Sequence, residues 1–423
     1  MQKITFRSVA ALSALGLCLA AMSASAAPRA RDLGIPFPGA PGPNDAITDV
    51  TGVEVGQTTL IQDADPSSGK GAVRTGVTVI HPLGKLKTDA VAAGFSVING
   101  TGEFTGIHMV DETGLLLGPI GLTGTANIPT VSQSFMDWAA RPGYLPKDLV
   151  FTHFLPVVGE TLDARLNDIF RRALTEKDVF AALNDAKGGP VAEGNVGGGT
   201  GMQAYQFKGG IGTASRVVHV GDKTYTVGVI LQANNAPRRD LRIAGVPIGE
   251  AIKDLLPERG HAAADATSDR SKNSLLIVIA TDAPLQVHQL TRLARRAVLG
   301  VGRDGSTGGN MSGEFALAFS TTNTTPLEGD PPPRQAISDL DDRPMDALFE
   351  ATVQAVEEAI VNQLVASDTM VGLNGYKVYG LPHDRVIQIL KSHRRLTGVS
   401  PKVSAIELGV SVDGAPWRSG FPP

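Results

Sequence analysis

The sequence predicts a layered α+β protein, with sheets packed together and helices outside, on three observations. Apolar, β-branched runs such as 274–281 and 73–81 read as buried strands, and stretches of helical period such as 285–301 and 345–364 read as amphipathic helices. The two kinds alternate irregularly, without the βα rhythm of a barrel or a doubly wound sheet. Hydrophobic residues make up 42% and charged residues 19% of the 423, a globular composition long enough for one large domain or two. No repeat of fixed period is present.

Residues 1–26 read as a secretory signal. Lys3 and Arg7 form the basic region, residues 10–21 are apolar, and Ala24-Ser25-Ala26 offers a small-residue cleavage site. The apolar part is too short to span a bilayer as a helix. The single cysteine, Cys18, lies inside it behind Leu17, where lipoprotein attachment wants a small residue. A soluble, periplasmic protein is therefore expected. Without that segment no cysteine remains, which excludes disulfides, iron–sulfur clusters and thiolate zinc sites. The formal charge of −4, with no acid in residues 1–26, argues against nucleic acid or an anionic membrane as partner.

Further along, residues 28–43 are rich in Pro and Gly and read as an irregular arm, and residues 46–60 read as strands. Strand 90–98 runs into Asn99-Gly100-Thr101-Gly102-Glu103, either a hairpin turn or a pocket wall carrying Glu103. Residues 128–140 look helical. After Gly159-Glu160-Thr161-Leu162 a helix-like stretch holds Arg165, Leu166, Ile169 and Phe170, which would make Glu160 an acid near a helix N-terminus. A short helix follows at 175–183. The glycine-rich stretch 192–212 suggests positive φ and close backbone packing, and no Gly-Lys-Ser/Thr makes it a phosphate loop. Strand 225–232 ends at Ala233-Asn234-Asn235, and 248–256 reads as an amphipathic helix. A polar segment, 257–272, leads to Ser274 at the root of the apolar strand. Helix 285–301 turns Arg292, Arg295 and Arg296 to a solvated or ion-paired side. Gly300–Gly305 fits GxGxxG, but it follows a helix, and a dinucleotide fingerprint needs strand, turn, helix. Ser312-Gly313-Glu314 precedes strand 315–320 and by itself reads as a turn. Pro331-Pro332-Pro333 marks an extended loop. A final helix runs over 383–393, and residues 394–423 read as a possible C-terminal tail.

No HExxH or GxSxG motif is present and the eight histidines stand singly, so a zinc peptidase or an elbow-type serine hydrolase is disfavoured. The run KNSLLIVIATDAPL, with VAEGNVGGGTGM, QAN, LNDIF, SGEFALAFST and LPHDR, resembles the self-processing N-terminal serine aminopeptidases of the DmpA/BapA type. PRARDLGIPF, INGTGE, PVVGETLDARLND and VNQLVASDTM place the likeness nearest the β-peptidyl aminopeptidases. It covers about residues 28–393.

The resemblance implies an αββα sandwich similar to N-terminal-nucleophile hydrolases but with different connectivity. It implies self-cleavage between Asn273 and Ser274 into a large chain, 27–273, and a small chain, 274–423, folded as one catalytic unit. Homo-oligomers of such units, four expected, and no metal or organic cofactor follow from it. Ser274 is the implied nucleophile, with Ser312 and Glu314 as a proton relay. Asn234 and the Gly313 amide are implied as oxyanion donors, and Glu160 as the carboxylate that reads the substrate's amine. The chemistry is coherent. A serine hydroxyl needs a base, and the α-amine freed by cleavage has an ordinary pKa of about 7.7–8. Whether that amine or the Ser312/Glu314 pair is the main base stays open.

Leu162 in GETL matches the β-peptide-cleaving sequences, whereas the L-aminopeptidase/D-amino acid esterase-amidase relatives carry an aromatic there. The sequence departs from the family pattern at Gly159 and at Asn235-Ala236-Pro237, near the expected pocket. The expected activity is removal of N-terminal β-amino acids from peptides and amides. The alternatives are the L-aminopeptidase/D-esterase reaction, an acyltransferase of the same fold, disfavoured because those relatives use an N-terminal threonine, and a non-catalytic periplasmic binding protein.

Overall fold

The computed structural model describes residues 27–145, 154–260, 274–327 and 340–397. The expected signal segment 1–26, Asn273, Pro331-Pro332-Pro333 and residues 398–423 of the expected tail lie outside the described residues.

Two sheets form the centre. The strands in chain order are β1 Glu54–Gln62, β2 Val73–His81, β3 Ala90–Gly100, β4 Leu115–Leu116, β5 Ile120–Gly124, β6 Val157–Thr161, β7 Gln203–Ala204, β8 Phe207–Lys208, β9 Ile211–Val220, β10 Lys223–Asn234, β11 Ser274–Thr281, β12 Gly313–Thr325, β13 Met370–Val371 and β14 Lys377–Val378. The helices are α1 Ile107–Thr113, α2 Ile128–Ala139, α3 Glu176–Asp185, α4 Ile248–Ala251, α5 Val287–Arg303, α6 Met345–Val365 and α7 His383–Ser392. One sheet has the order β1-β2-β5-β6 and the other β4-β3-β12-β11-β10-β9.

The side chains decide how these layers stack. Along β11, Leu276, Val278 and Ala280 join a core between the sheets with Ile80, Ile120 and Leu122. Leu275, Ile277 and Ile279 point the other way, onto Leu290, Leu293 and Ala297 of α5 and Val356 and Ala359 of α6. Val77, Val79 and Val158 pack outward onto Val131 and Phe135 of α2 and Val179 and Leu183 of α3. A strand buried on both faces reads as a continuous apolar run, as β11 does. The result is the four-layer αββα sandwich expected, in a mixed α+β fold.

Several local expectations are corrected. Residues 47–49 form a 3-10 turn before β1, so 46–60 is one strand preceded by a turn. The helix-like stretch after Gly159 is absent: Glu160 lies in β6, paired in parallel with Thr123 of β5, and only a 3-10 turn at Ile169–Arg171 follows. The helix expected over 248–256 stops at Ala251. The carbonyls that would extend it, of Ile252, Asp254 and Leu255, accept hydrogen bonds from the buried Arg238 guanidinium instead. Helix α6 has 17 of its 21 residues buried, more than the single apolar stripe of the amphipathic helix expected there. Its closeness to α5 explains Gly300, where a Cβ would lie 2.7 Å from Val356 Cβ. The GxGxxG glycine thus serves helix packing. Arg292 pairs with Asp342 and Arg296 lies over the Phe349 ring.

The glycine-rich segment sits between the sheets, where a Cβ on Gly198 would come within 2.3 Å of Leu122 O and closer still to Gln232 Oε1. Of its glycines only Gly194 and Gly197 take positive φ, so close approach is the larger reason for the glycines. The N-terminal arm is tied down by charge. Arg31 pairs with Glu358 of α6 at 2.6 Å, Arg216 pairs with the same carboxylate at 2.7 Å, and Arg29 pairs with Glu193 at 2.8 Å.

Glu358 and Arg216 are almost wholly buried, so removing one partner strands the other's charge. Glu358→Ala is expected to cost about 3–5 kcal/mol, read as a lower urea midpoint at unchanged slope. A loss below about 1 kcal/mol would place the pair with ordinary surface bridges.

Candidate active site

The β-ladder assembles the site. Ser274 is the first residue of β11 and is flanked on both sides within one row. Asn234 of β10 is its antiparallel partner, and Gly313 of β12 is its parallel partner. On the next strand out, Gly313 pairs with Gly100 and Glu314 with Asn99. A one-residue bulge in β3 at Ile98 precedes that pair, and bulges re-aim the side chain beside them. Here Asn99 Nδ2 donates to Ser312 Oγ at 3.0 Å. Thr101 N donates to Ser312 O at 3.0 Å, so the INGTGE stretch is a wall of the site and not a hairpin.

Asn234 is held by backbone at both ends of its amide. Its Oδ1 accepts from Gln203 N at 2.9 Å and its Nδ2 donates to Leu162 O at 3.0 Å. This fixes which end carries hydrogens, and one Nδ2 hydrogen is left for another acceptor. Leu162, singled out for specificity, thereby touches the expected oxyanion donor through its carbonyl.

Glu160 comes from the other sheet. Its Oε1 accepts from Glu103 N at 3.1 Å, and Thr125 Oγ1 donates to its Oε2. Burial raises its pKa above the usual carboxylate value, against the pull of Thr125 and the Glu103 amide. Gly102 lies between the two halves of the site. A Cβ there would stand 3.2 Å from Gly313 Cα and 3.3 Å from Glu160 Oε1. Glu160 is therefore a neighbour of the Ser274 row although it belongs to the opposite sheet.

Ser312 and Glu314 are both fully buried. Burial pushes the Glu314 carboxyl up to about 7, with Ser312 pulling it back. Of the expected residues, Ser274, Asn234 and Gly313 share one row, Ser312 and Glu314 flank Gly313 in the chain, and Glu160 lies across Gly102 from Gly313. Asn273 falls outside the described residues. Sequence reasoning missed Asn99, Thr125 and Gln203, whose parts depend on strand register; the Asn-Gly turn signal alone pointed near Asn99. Among the described residues no group of three or more His, Cys, Asp or Glu could hold a metal. A cavity of about 860 Å³ lined by Gly94, Thr291 and Thr322 lies toward the far end of the same sheet, away from this row.

Residues 45–378 match the sequence profile of Peptidase family S58. The chain is 62% identical over 385 residues to β-peptidyl aminopeptidase BapA of Sphingosinicella xenopeptidilytica, covering 90% of this chain and 95% of that one. Its structure is similar to that of the L-aminopeptidase D-Ala-esterase/amidase of Ochrobactrum anthropi, at TM-score 0.80 and 42% identity, covering 88% of this chain and all of the other. A β-aminopeptidase of Burkholderia sp. matches at TM-score 0.76 and 40% identity, over 86% and 99% of the two chains.

Because Glu314 has a folded pKa near 7 against an ordinary 4.5, the native state holds its proton more tightly. Stability from this group is full below about 4.5 and is lost as pH rises through about 7. Glu314→Gln is expected to raise stability at pH 8 by roughly 2–3 kcal/mol and to flatten the slope between about pH 5 and 7, by denaturant titration across pH. An unchanged slope would mean that the carboxyl is ionised when folded.

Proposed function

The chain belongs to peptidase family S58, and from that premise we propose that it is an exported, self-processing aminopeptidase that removes N-terminal β-amino acid residues from peptides and amides. It is a hydrolase of the serine aminopeptidase class. The observation that carries the finer reading is the single row Asn234–Ser274–Gly313, with Glu160 one glycine away.

In this reading the Ser274 hydroxyl first attacks the carbonyl of Asn273, the backbone C–N bond breaks as the acyl group moves to the hydroxyl oxygen, and water then hydrolyses that ester, freeing the Asn273 carboxylate and the Ser274 hydroxyl. The large chain is then 27–273 and the small chain 274–423. The freed Ser274 now carries its own amine, near ambient pH in proton affinity. On a substrate, the hydroxyl attacks the carbonyl of the N-terminal residue and passes its proton to the α-amine or to Glu314 by way of Ser312. The developing oxyanion takes hydrogen bonds from the remaining Asn234 Nδ2 hydrogen and the Gly313 amide. The leaving amine departs protonated, and water releases the acyl group from Ser274. Glu160 binds the substrate's ammonium. That charge favours the ionised carboxylate and offsets the burial that raises it.

Both ends of the acyl residue are fixed, its amine by Glu160 and its carbonyl by Ser274. The spacing between two sheets therefore selects backbone length. The 62% identity to a β-peptidyl aminopeptidase supports the β-amino acid; the likeness to an L-aminopeptidase D-Ala-esterase/amidase keeps an α-residue as the second reading. Export rests on residues 1–26 and places the protein in the periplasm. No helix of the described residues is long and apolar enough to cross a membrane. The working form is a homo-oligomer of αβ units, four expected.

Purified protein is expected to give two bands on denaturing electrophoresis, the smaller beginning at Ser274, and Ser274→Ala a single inactive chain. An active preparation made only of intact chains would sink the mechanism. Dipeptides led by β-alanine or a β-homo-residue are expected to exceed their α-counterparts in kcat/KM by at least about tenfold. Faster α-peptide turnover selects the second reading.

A further inference from the structure

Behind the Ser274 row, on the helix side of the six-stranded sheet, lies a set of polar side chains of which the mechanism above uses only Glu314. Ladder alternation puts Glu314 on the pleat of Ala316, which faces the helices, and Asn235 on the pleat of Ala233, which does the same. Tyr205 is wholly buried in that core, and its amide donates to Asn235 O at 2.6 Å. Asp304 follows the last turn of α5, buried at the start of the loop that ends at Ser312. Partway along that loop, a Cβ on Gly308 would lie 3.1 Å from Glu314 Oε2.

These groups share an anomaly. Tyr205 Oη, both amide atoms of Asn235, Asp304 Oδ2 and both oxygens of Glu314 are buried without a hydrogen bond of ordinary geometry among the described residues. A lone buried polar atom costs free energy, and four such side chains in one region point to a shared network. They also act on one another: the Tyr205 hydroxyl is held protonated first by burial, then by the charge of Asp304, with Asp240 and Glu314 adding to this and Asn235 opposing it. The remaining charged groups near Asp304 are Arg303 and Glu357, which pair with each other at 2.9 Å.

We propose that Tyr205, supported by Asn235 and Asp304, is a positioning residue that donates its hydroxyl hydrogen toward the Glu314 carboxyl and so governs when that carboxyl accepts the Ser274 proton. The proposal rests on the reading of Glu314 as part of the relay. A phenol in this place stays protonated, because burial and nearby acids both oppose its ionisation. It offers one hydrogen to a carboxylate that otherwise has Ser312 alone, and Ser312 is itself held by Asn99. A donor to the ionised form lowers the pH at which that form appears. Asp304 works in the opposite sense, as a second acceptor beside the Tyr205 hydroxyl that competes with Glu314 for its one hydrogen.

The test is the pH profile of kcat/KM for the processed enzyme on a β-alanyl amide. Tyr205→Phe is expected to move the acidic limb upward by about one unit, with kcat at the optimum within about threefold of wild type. Asp304→Asn is expected to move the limb downward, and it remains informative should Tyr205→Phe fail to fold. In a Glu314→Gln background, Tyr205→Phe is expected to change nothing further. If Tyr205→Phe lowers kcat evenly with an unmoved limb, and Asp304→Asn leaves the limb unmoved, these residues are structural and the proposal falls. That result is distinct from failure of the relay reading, in which Glu314→Gln itself retains the wild-type profile.

Discussion

The site depends on one constraint, the register of three neighbouring strands. A serine, an amide donor and a flexible glycine become neighbours only because residue 274 pairs with 234 on one side and 313 on the other. A slip of one residue would turn Ser274 to the opposite face. What prevents a slip is the rest of β11. All its residues from Leu275 to Ala280 are fully buried, alternately against the other sheet and against α5 and α6, so no alternative register keeps both cores filled. The catalytic precision and the hydrophobic core are therefore the same property.

The second element is the gap between the sheets. Glu160 belongs to the sheet opposite Ser274, and its distance from the serine is set by how the sheets stack. Close to this end of the gap, Phe95, Phe104 and Phe315 pack ring to ring, with centroids 6.0–6.3 Å apart. Gly102 then lets the INGTGE wall pass between Glu160 and Gly313 without a side chain. A carboxylate mounted on a packed strand holds its place better than one on a loop, which suits the proposed selection of backbone length.

Much of this was legible in the sequence where the periodicity was strong. Strands β2, β10 and β11 and helices α5 and α6 carry long apolar patterns, and each appears close to its expected bounds. Short β5 and the one-turn α4 were not readable, since five residues carry little pattern and the fate of α4 depends on Arg238 drawing in its carbonyls from afar. The glutamate at 160 was placed at a helix start because GETLDAR has helical composition, and pairing with β5 overrode that propensity. The site residues came from motif resemblance. Their supports did not: Asn99, Gln203 and Tyr205 matter through contacts with residues thirty or more positions away, or through a bulge, and no local spacing records either.

Scission at 273–274 would make the protein two chains, and the structure bears on why they would stay together. Strand β11 would open the small chain, yet one of its ladders runs to β10 of the large chain and the other to β12 of its own. The sheet order alternates further, since β3 of the large chain flanks β12. The small chain's pair of strands would thus be enclosed by large-chain strands on both edges, with no free edge in the sheet interior. Charge crosses the same boundary, for Glu358 of α6 holds both Arg31 and Arg216. Neither chain could leave without exposing the full β11 core and stranding a buried carboxylate. Cutting the backbone would therefore remove a covalent link while leaving the cohesive terms in place, and the new terminus would stay in the row with Asn234 and Gly313.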